Sequence, residues 1–198
     1  MKIYSPVTII EQDAEVLLYS DIFSSSEGQS LFQDLFNSIE WRQESIRMFG
    51  KRVLQPRLTA WCGDDGLTYK YSGITLTAER WIEPLLVIKN RIEPILGCSF
   101  NSVLINLYRD GNDSMGWHRD NEKELGPQPV IASVSLGAER VFQLRRYRSK
   151  EKSISVPLSS GSLLVMRGDC QTFWEHQIPK TSRVVGQRIN LTFRRIEV

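Results

Sequence analysis

At 198 residues the chain is long enough to bury one sizeable core and short for two, so a single domain is expected. A content of 41% hydrophobic and 24% charged residues excludes a disordered or fibrous chain, and no stretch approaches the roughly 20 apolar residues that cross a bilayer. The net charge of +2 permits a nucleic-acid partner without demanding one.

The first residues, MKIYSPVTIIEQDAEVLLYSD, carry acids where a signal peptide needs an apolar centre, which points to an intracellular protein. From Ser24 to Trp41, the apolar Leu31, Phe32, Leu35, Phe36 and Ile39 recur at helical spacing behind serines able to cap the start. Arg47, Lys51, Arg52 and Arg57 form a first basic group. Within it, Arg47-Met-Phe-Gly-Lys-Arg52 places Met48 and Phe49 among cations, a pattern suited either to an apolar wedge flanked by phosphate-binding side chains or to a turn that packs Phe49 inward. A second helix is expected from about Thr77 to Leu96, where Trp81, Leu85, Leu86, Ile88 and Ile92 share a similar period interrupted by Pro84 and Pro94. Helices are thus expected to dominate the first half.

From Asn101 the texture changes to short β-rich runs separated by Gly, Pro, Asp and Asn: SVLINLY, VIASVSLG, RVFQLRR, SISVPLS, GSLLVMR and RINLTFRRI. This is the pattern of a β-sandwich or jelly roll buttressed by the helices. A second basic group, Arg145, Arg146, Arg148, Lys150 and Lys152, falls among these runs and has solvated loop as its plainest reading. Cys62, Cys98 and Cys170 are odd in number and lack CxxC spacing, so they are read as small buried or semi-buried thiols.

The chain has only two histidines, His118 and His176. Residues two apart in an extended segment project to one side, so His118 and Asp120 can offer an imidazole and a carboxylate to a common point. His176, in the segment FWEHQIP read as a loop, would complete the set only if the fold returns the chain. Two histidines and a carboxylate on one face of a metal suit a non-haem Fe(II) oxygenase; zinc is an alternative metal for such ligands. In the last β-rich run Arg188, Asn190, Thr192 and Arg194 share one parity, and Ile189, Leu191 and Phe193 the other. The polar face either meets water or lines a cavity, where Arg188 could clamp a dicarboxylate in bidentate fashion. In SVLINLY, Asn106 and Tyr108 lie on one side with Leu104, offering an amide and a phenol to the same interior.

These segments resemble the AlkB-type Fe(II)/2-oxoglutarate-dependent nucleic-acid dealkylases. The resemblance is carried by Asn106-Leu-Tyr-Arg-Asp-Gly111, Gly116-Trp-His-Arg-Asp-Asn-Glu122, Ile131-Ala-Ser-Val-Ser-Leu-Gly137, Gly161-Ser-Leu-Leu and Arg188-Ile-Asn-Leu-Thr-Phe-Arg194, in that order. It implies a mainly β protein with flanking helices. Residues 101–198 would form a double-stranded β-helix (jelly-roll) core, and residues 1–100 a helical support with a nucleotide-recognition extension. It further implies Fe(II) on His118, Asp120 and His176, with 2-oxoglutarate among Asn106, Tyr108, Arg188, Asn190 and Arg194, and O2 as co-reactant. Glu122 falls at an acidic position beside the flipped base, where it would pair with Arg194.

Thr68-Tyr-Lys-Tyr-Ser-Gly73 resembles the nucleotide-recognition region of the duplex-acting members, so Tyr69, Tyr71 and Ser72 are expected base contacts; plain strand packing is the alternative for tyrosines of period two. Phe49 is the expected intercalating residue with Met48 its neighbour, and Arg57 is a further expected substrate-binding residue. The activity implied is oxidative removal of N-methyl groups from 1-methyladenine and 3-methylcytosine in DNA, double- or single-stranded, by a monomer that is cytoplasmic in a bacterium and nuclear in a eukaryote. The same iron chemistry on RNA, protein or a small molecule is the alternative.

Overall fold

The computed structural model describes residues 4–48, 51–71 and 74–197, with side chains described except at 46–51 and 69–76. The chain opens with β1 (Val7–Ile10), β2 (Glu15–Tyr19) and α1 (Ser25–Ser38). Six further strands precede the second helix: β3 (Ser45–Met48), β4 (Lys51–Leu54), β5 (Leu58–Gly63), β6 (Thr68–Tyr71), β7 (Ile74–Thr77) and β8 (Glu79–Arg80). After α2 (Glu83–Leu96) come β9 (Ser102–Tyr108), β10 (Met115–His118), β11 (Ile131–Gly137), β12 (Arg140–Arg146), β13 (Ile154–Leu158) and β14 (Ser162–Arg167). The last elements are α3 (Cys170–Phe173), β15 (Trp174–Ile178) and β16 (Arg188–Arg194).

An eight-stranded sheet runs β1-β2-β14-β11-β16-β9-β5-β8, and a four-stranded sheet runs β10-β15-β12-β13. Strict alternation along the central strands of the large sheet gives it two buried faces. Leu163, Val165, Ile189, Leu191 and Phe193 point one way, into a core closed by Leu31 and Leu35 of α1 and by Leu85, Ile88 and Ile92 of α2. Their neighbours Leu164 and Met166 point the other way, where they meet Phe142, Leu144, Val156 and Ile178 of the small sheet. The molecule is therefore layered as helices, large sheet, small sheet, and the jelly-roll expectation holds. Two separate ladders, β3-β4 and β6-β7, stand outside these sheets. Among the described residues no helix is long and apolar enough to cross a membrane.

The helix ends follow from local chemistry. Ser24 closes a capping box, its hydroxyl accepting the Glu27 N–H at 3.3 Å and the Glu27 carboxylate accepting the Ser24 N–H at 2.8 Å. The helix expected to reach Trp41 stops at Ser38. There the Trp41 indole turns back to donate to the Phe36 carbonyl at 3.0 Å, serving one of the helix's unpaired C-terminal acceptors.

The second helix begins at Glu83, not Thr77. Pro84 fits the first turn, where no N–H is needed, but disfavours helical backbone before it, so the residues ahead are strand or extended. Gly97, at φ 64, ends that helix in the left-handed conformation. The expectation that helices dominate the first half is corrected: among the described residues eight strands lie there, and β1, β2, β5 and β8 belong to the large sheet. Their runs were hard to see because they are short and the sheet is completed by partners distant in sequence.

Backbone and hydroxyl hydrogen bonds from Ser24, together with Arg91, hold the Glu27 carboxyl at about 2 against an ordinary 4.5. A depressed folded value stabilises above the unfolded one and is lost as pH falls. Glu27→Gln is accordingly expected to be less stable than wild type near neutral pH, the gap closing as the pH drops from 4.5 towards about 2; urea unfolding across that window checks it. Ser24→Ala should cost about 1 kcal/mol in the same measurement at neutral pH.

Candidate active site

The two histidines are brought together by strand pairing. β10 and β15 run antiparallel with His118 directly opposite His176, after a register irregularity between Met115 and His118. Cross-strand neighbours of this kind stand side by side on one face of a sheet, and the two rings lie 4.2 Å apart at 63°. Asp120 lies two residues past the end of β10 and is only 4% exposed. Ligand atoms of His118, Asp120 and His176 all fall within 4.8 Å of one another.

His176 was expected in a loop and lies in a strand; Trp174, His176 and Ile178 are buried and alternate with the half-exposed Glu175 and Gln177. That alternation marks a half-buried strand, although its polar residues and the following proline give it the look of a loop.

The ionisation states suit a cation. Burial, assisted by the neighbouring His118 and opposed by Asp120, pushes His176 down to about 3, so its imidazole is neutral at physiological pH. Burial alone would raise Asp120, but the Arg194 charge, the two imidazoles and a hydrogen bond from Arg194 outweigh it and hold the carboxyl at about 2. Metal ligation requires such deprotonated groups. His118 Nδ1 donates to the Gly116 carbonyl at 2.8 Å, and its Nε2 lies 3.8 Å from Asp120 Oδ1.

The pocket around this cluster lies between the two sheets, and Asn106, Tyr108, Arg188, Asn190, Thr192 and Arg194 line its large-sheet wall. The polar parity of β16 thus faces a cavity rather than bulk water. Pairing in register sets Arg188 opposite Tyr108 and Asn190 opposite Asn106. Asn190 Nδ2 donates to Ser133 Oγ at 2.7 Å, and Thr192 Oγ1 lies 3.2 Å from Asn190 Oδ1.

Arg188 is 1% exposed. Its Nη2 donates to Ser135 Oγ at 2.9 Å, while Nε and Nη1 are buried without a hydrogen-bond partner. Burial lowers its pKa to about 10, which still leaves it cationic. A buried guanidinium with two unused donors is costly unless an anion completes it, and a carboxylate is the matching shape.

Other expected residues fall as follows. Arg194 pairs with the buried carboxylate of Asp120 at 2.8 Å, and among the described residues no ion pair joins it to Glu122. Glu122 keeps one buried carboxylate oxygen with no hydrogen-bond partner. Arg57 is 7% exposed and donates to Asn106 Oδ1 at 2.7 Å, so it supports the pocket wall instead of facing solvent with its basic neighbours. Met48 ends β3, where it pairs with Lys51, and Tyr69 and Tyr71 lie in β6. Their side chains, and Phe49 and Ser72 altogether, lie outside the described residues. Cys62 and Cys170 are buried as expected and pushed up to about 12, chiefly by burial.

Residues with no sequence signal also shape the site. Phe142 stacks on His176 with centroids 5.2 Å apart. The Arg140 guanidinium, 3% exposed, is held by the carbonyls of Asp110, Asp113 and Pro179 and lies 5.6 Å from the Tyr108 ring centroid. Gln171 accepts the backbone N–H of Asp120. Only Ser133 and Ser135, at alternate positions in an otherwise apolar run, carried a hint.

Paired imidazoles, a carboxylate and an adjoining buried guanidinium within a jelly roll make up the arrangement of a non-haem iron oxygenase. A sequence profile of the 2OG-Fe(II) oxygenase superfamily matches residues 15–194. The chain is 42% identical over 188 residues to DNA oxidative demethylase ALKBH2 of Homo sapiens, an alignment covering 90% of this chain and 72% of that one. It is 40% identical over 192 residues to alpha-ketoglutarate-dependent dioxygenase alkB homolog 3 of Bos taurus, covering 92% and 66%. The solved structure of OsALKBH1 matches 96% of this chain with a TM-score of 0.68 at 14% identity, a likeness of fold. This chain belongs to the 2OG-Fe(II) oxygenase superfamily, whose chemistry uses Fe(II), 2-oxoglutarate and O2. The donor set fits the metal, and the unpartnered Arg188 donors fit the cosubstrate's carboxylate.

Asp120→Asn removes the anionic member of the cluster. It is expected to weaken Mn(II) binding, used as an oxygen-stable probe, on the order of 100-fold or more; electron paramagnetic resonance of free Mn(II) in a titration checks it.

Proposed function

We propose that this protein repairs alkylated DNA by oxidative removal of N-methyl groups from 1-methyladenine and 3-methylcytosine. The observation that carries the reading is one pocket lined by both the metal-type cluster and the incompletely bonded Arg188; two residues beyond Asp120, Glu122 keeps a buried carboxylate oxygen with no hydrogen-bond partner. Relatives named DNA oxidative demethylase and alkB homolog support the substrate class.

In this reading His118, Asp120 and His176 hold Fe(II), Arg188 clamps the far carboxylate of 2-oxoglutarate, and Asn106, Tyr108, Asn190 and Arg194 surround it. Bound together with O2, these groups supply hydroxylation of the N-methyl carbon, 2-oxoglutarate being oxidised to succinate and CO2. The hydroxymethylated base then releases formaldehyde. The protein's task is placement and electrostatics.

Arg194 keeps Asp120 ionised and aimed, and Arg57 orients the amide of Asn106. Glu122 accepts from the exocyclic amine and offsets the positive charge of the lesion. Tyr69, Tyr71 and Ser72 hold the extruded nucleotide, while Phe49 and Met48 fill the gap left in the stack. Both lesions are cationic and pair poorly, which lowers the cost of extrusion from a duplex. We assign both double- and single-stranded DNA as substrates and a monomer as the working form, acting in the compartment that holds the genome.

Incubation with Fe(II), 2-oxoglutarate and a duplex oligonucleotide carrying 1-methyladenine should yield formaldehyde, succinate and unmodified adenine; absence of both succinate and repaired base overturns the reading. Phe49→Ala should lower duplex turnover by roughly tenfold while sparing single strands, consistent with lost stacking of about 1 to 3 kcal/mol. No effect on either substrate would favour the same iron chemistry acting elsewhere. Arg188→Lys should weaken 2-oxoglutarate binding about tenfold or more with Mn(II) affinity unchanged, since an ammonium cannot make the forked contact; calorimetry on the Mn(II)-loaded protein reads both.

A further inference from the structure

Strand pairing accounts for two of the three metal-type residues and leaves the third outside. The β10-β15 ladder ends at the pair His118–His176, and Asp120 follows in a segment with no regular secondary structure. Its backbone N–H is buried, with no ladder neighbour to accept it. The acceptor is a side chain: Gln171 Oε1, at 2.9 Å. Gln171 is itself only 4% exposed, and its Nε2 points to Met166 Sδ at 3.8 Å, so the amide is held in the orientation that presents oxygen to Asp120.

The same short helix, α3, also receives the neighbouring Arg119, whose Nη1 reaches the carbonyls of Gln171 and Thr172 at 3.4 and 3.3 Å. The strand that carries His176 begins at the residue after α3. The helix therefore ties the turn holding Asp120 to the strand holding His176. Arg194 aims the carboxylate; the backbone that bears it is anchored elsewhere.

We propose that Gln171 is a positioning residue for the metal centre, fixing the backbone of Asp120 so that its carboxylate meets His118 and His176 at one point. This rests on the reading of those three residues as the metal site. Without the Gln171 oxygen the Asp120 N–H is left unpaired in a dry environment, and the turn shifts towards another acceptor, carrying the carboxylate away. Partners that orient ligands in this way typically change metal affinity by about 10- to 100-fold when removed.

The test is a Mn(II) titration of the full chain, free Mn(II) being read by electron paramagnetic resonance. Circular dichroism and the melting temperature report on folding. Gln171→Leu, similar in size but without an acceptor, should fold and bind Mn(II) about tenfold or more weakly. Phe173→Ala, on the same helix with a side chain 40% exposed, should bind as wild type does.

Equal affinity in wild type and Gln171→Leu overturns the inference while leaving the metal site intact. So does an equal loss in both variants, which would mark a general loosening of the helix. A wild type that binds no Mn(II) instead overturns the metal reading beneath it. Should Gln171→Leu not fold, amide hydrogen exchange of wild-type Asp120 decides: protection comparable to the β10 amides supports the anchor, and exchange at the rate of an open loop rejects it.

Discussion

An antiparallel pair of short strands, β10 and β15, places two distant histidines against each other inside a sandwich, and nearly every other feature of the site is arranged about that pair. With His118 and His176 locked by the ladder, a carboxylate must arrive from outside it. Asp120 does so from the turn that follows β10, supported at its carboxylate by Arg194 and at its backbone by Gln171. The opposing wall is supplied by the large sheet, whose β16 presents alternate residues to the pocket while the intervening ones pack on the helices.

The pocket's charge pattern follows from its dryness. Asp120 and His176 are almost fully buried, as is Arg188, and burial penalises the charged form of each. The outcome differs by neighbour. His176 gives up its proton, Asp120 stays ionised because the Arg194 guanidinium faces it, and Arg188 stays cationic with donors to spare. A neutral His176 imidazole beside an ionised carboxylate favours a divalent cation, and a cation with unused hydrogen bonds favours a carboxylate. Both preferences have one cause, the cost of leaving buried polar groups incomplete.

Much of this was readable from residue order. The β-rich runs of the second half correspond closely to strands, since alternation and turn residues are local properties; the same alternation in β16 separated Arg188, Asn190, Thr192 and Arg194 from Ile189, Leu191 and Phe193. The first half was harder. Strand β8 is only two residues long, and β5 gains its hydrogen bonds from β8 and from the distant β9. The periodicity that placed α2 too early ran through residues ahead of Pro84, where the backbone is extended. Arg57 reads as one member of a basic group and proves to be a buried support for Asn106, because its surroundings come from strands far along the chain.

What the amino-acid sequence determined by itself is the inventory and its phase: which side chains can bind a metal, which share a face of a strand, where helices are capped. Those depend on chain covalency and on interactions within a few residues. The tertiary structure decided the company each residue keeps. That Arg194 answers Asp120 rather than Glu122, that Arg188 has donors left over, and that a glutamine from α3 anchors the turn after β10 all depend on strands and loops meeting across long sequence separations. Hydrogen-bond satisfaction in a buried space is settled only when every neighbour is in place, so no local pattern could announce it.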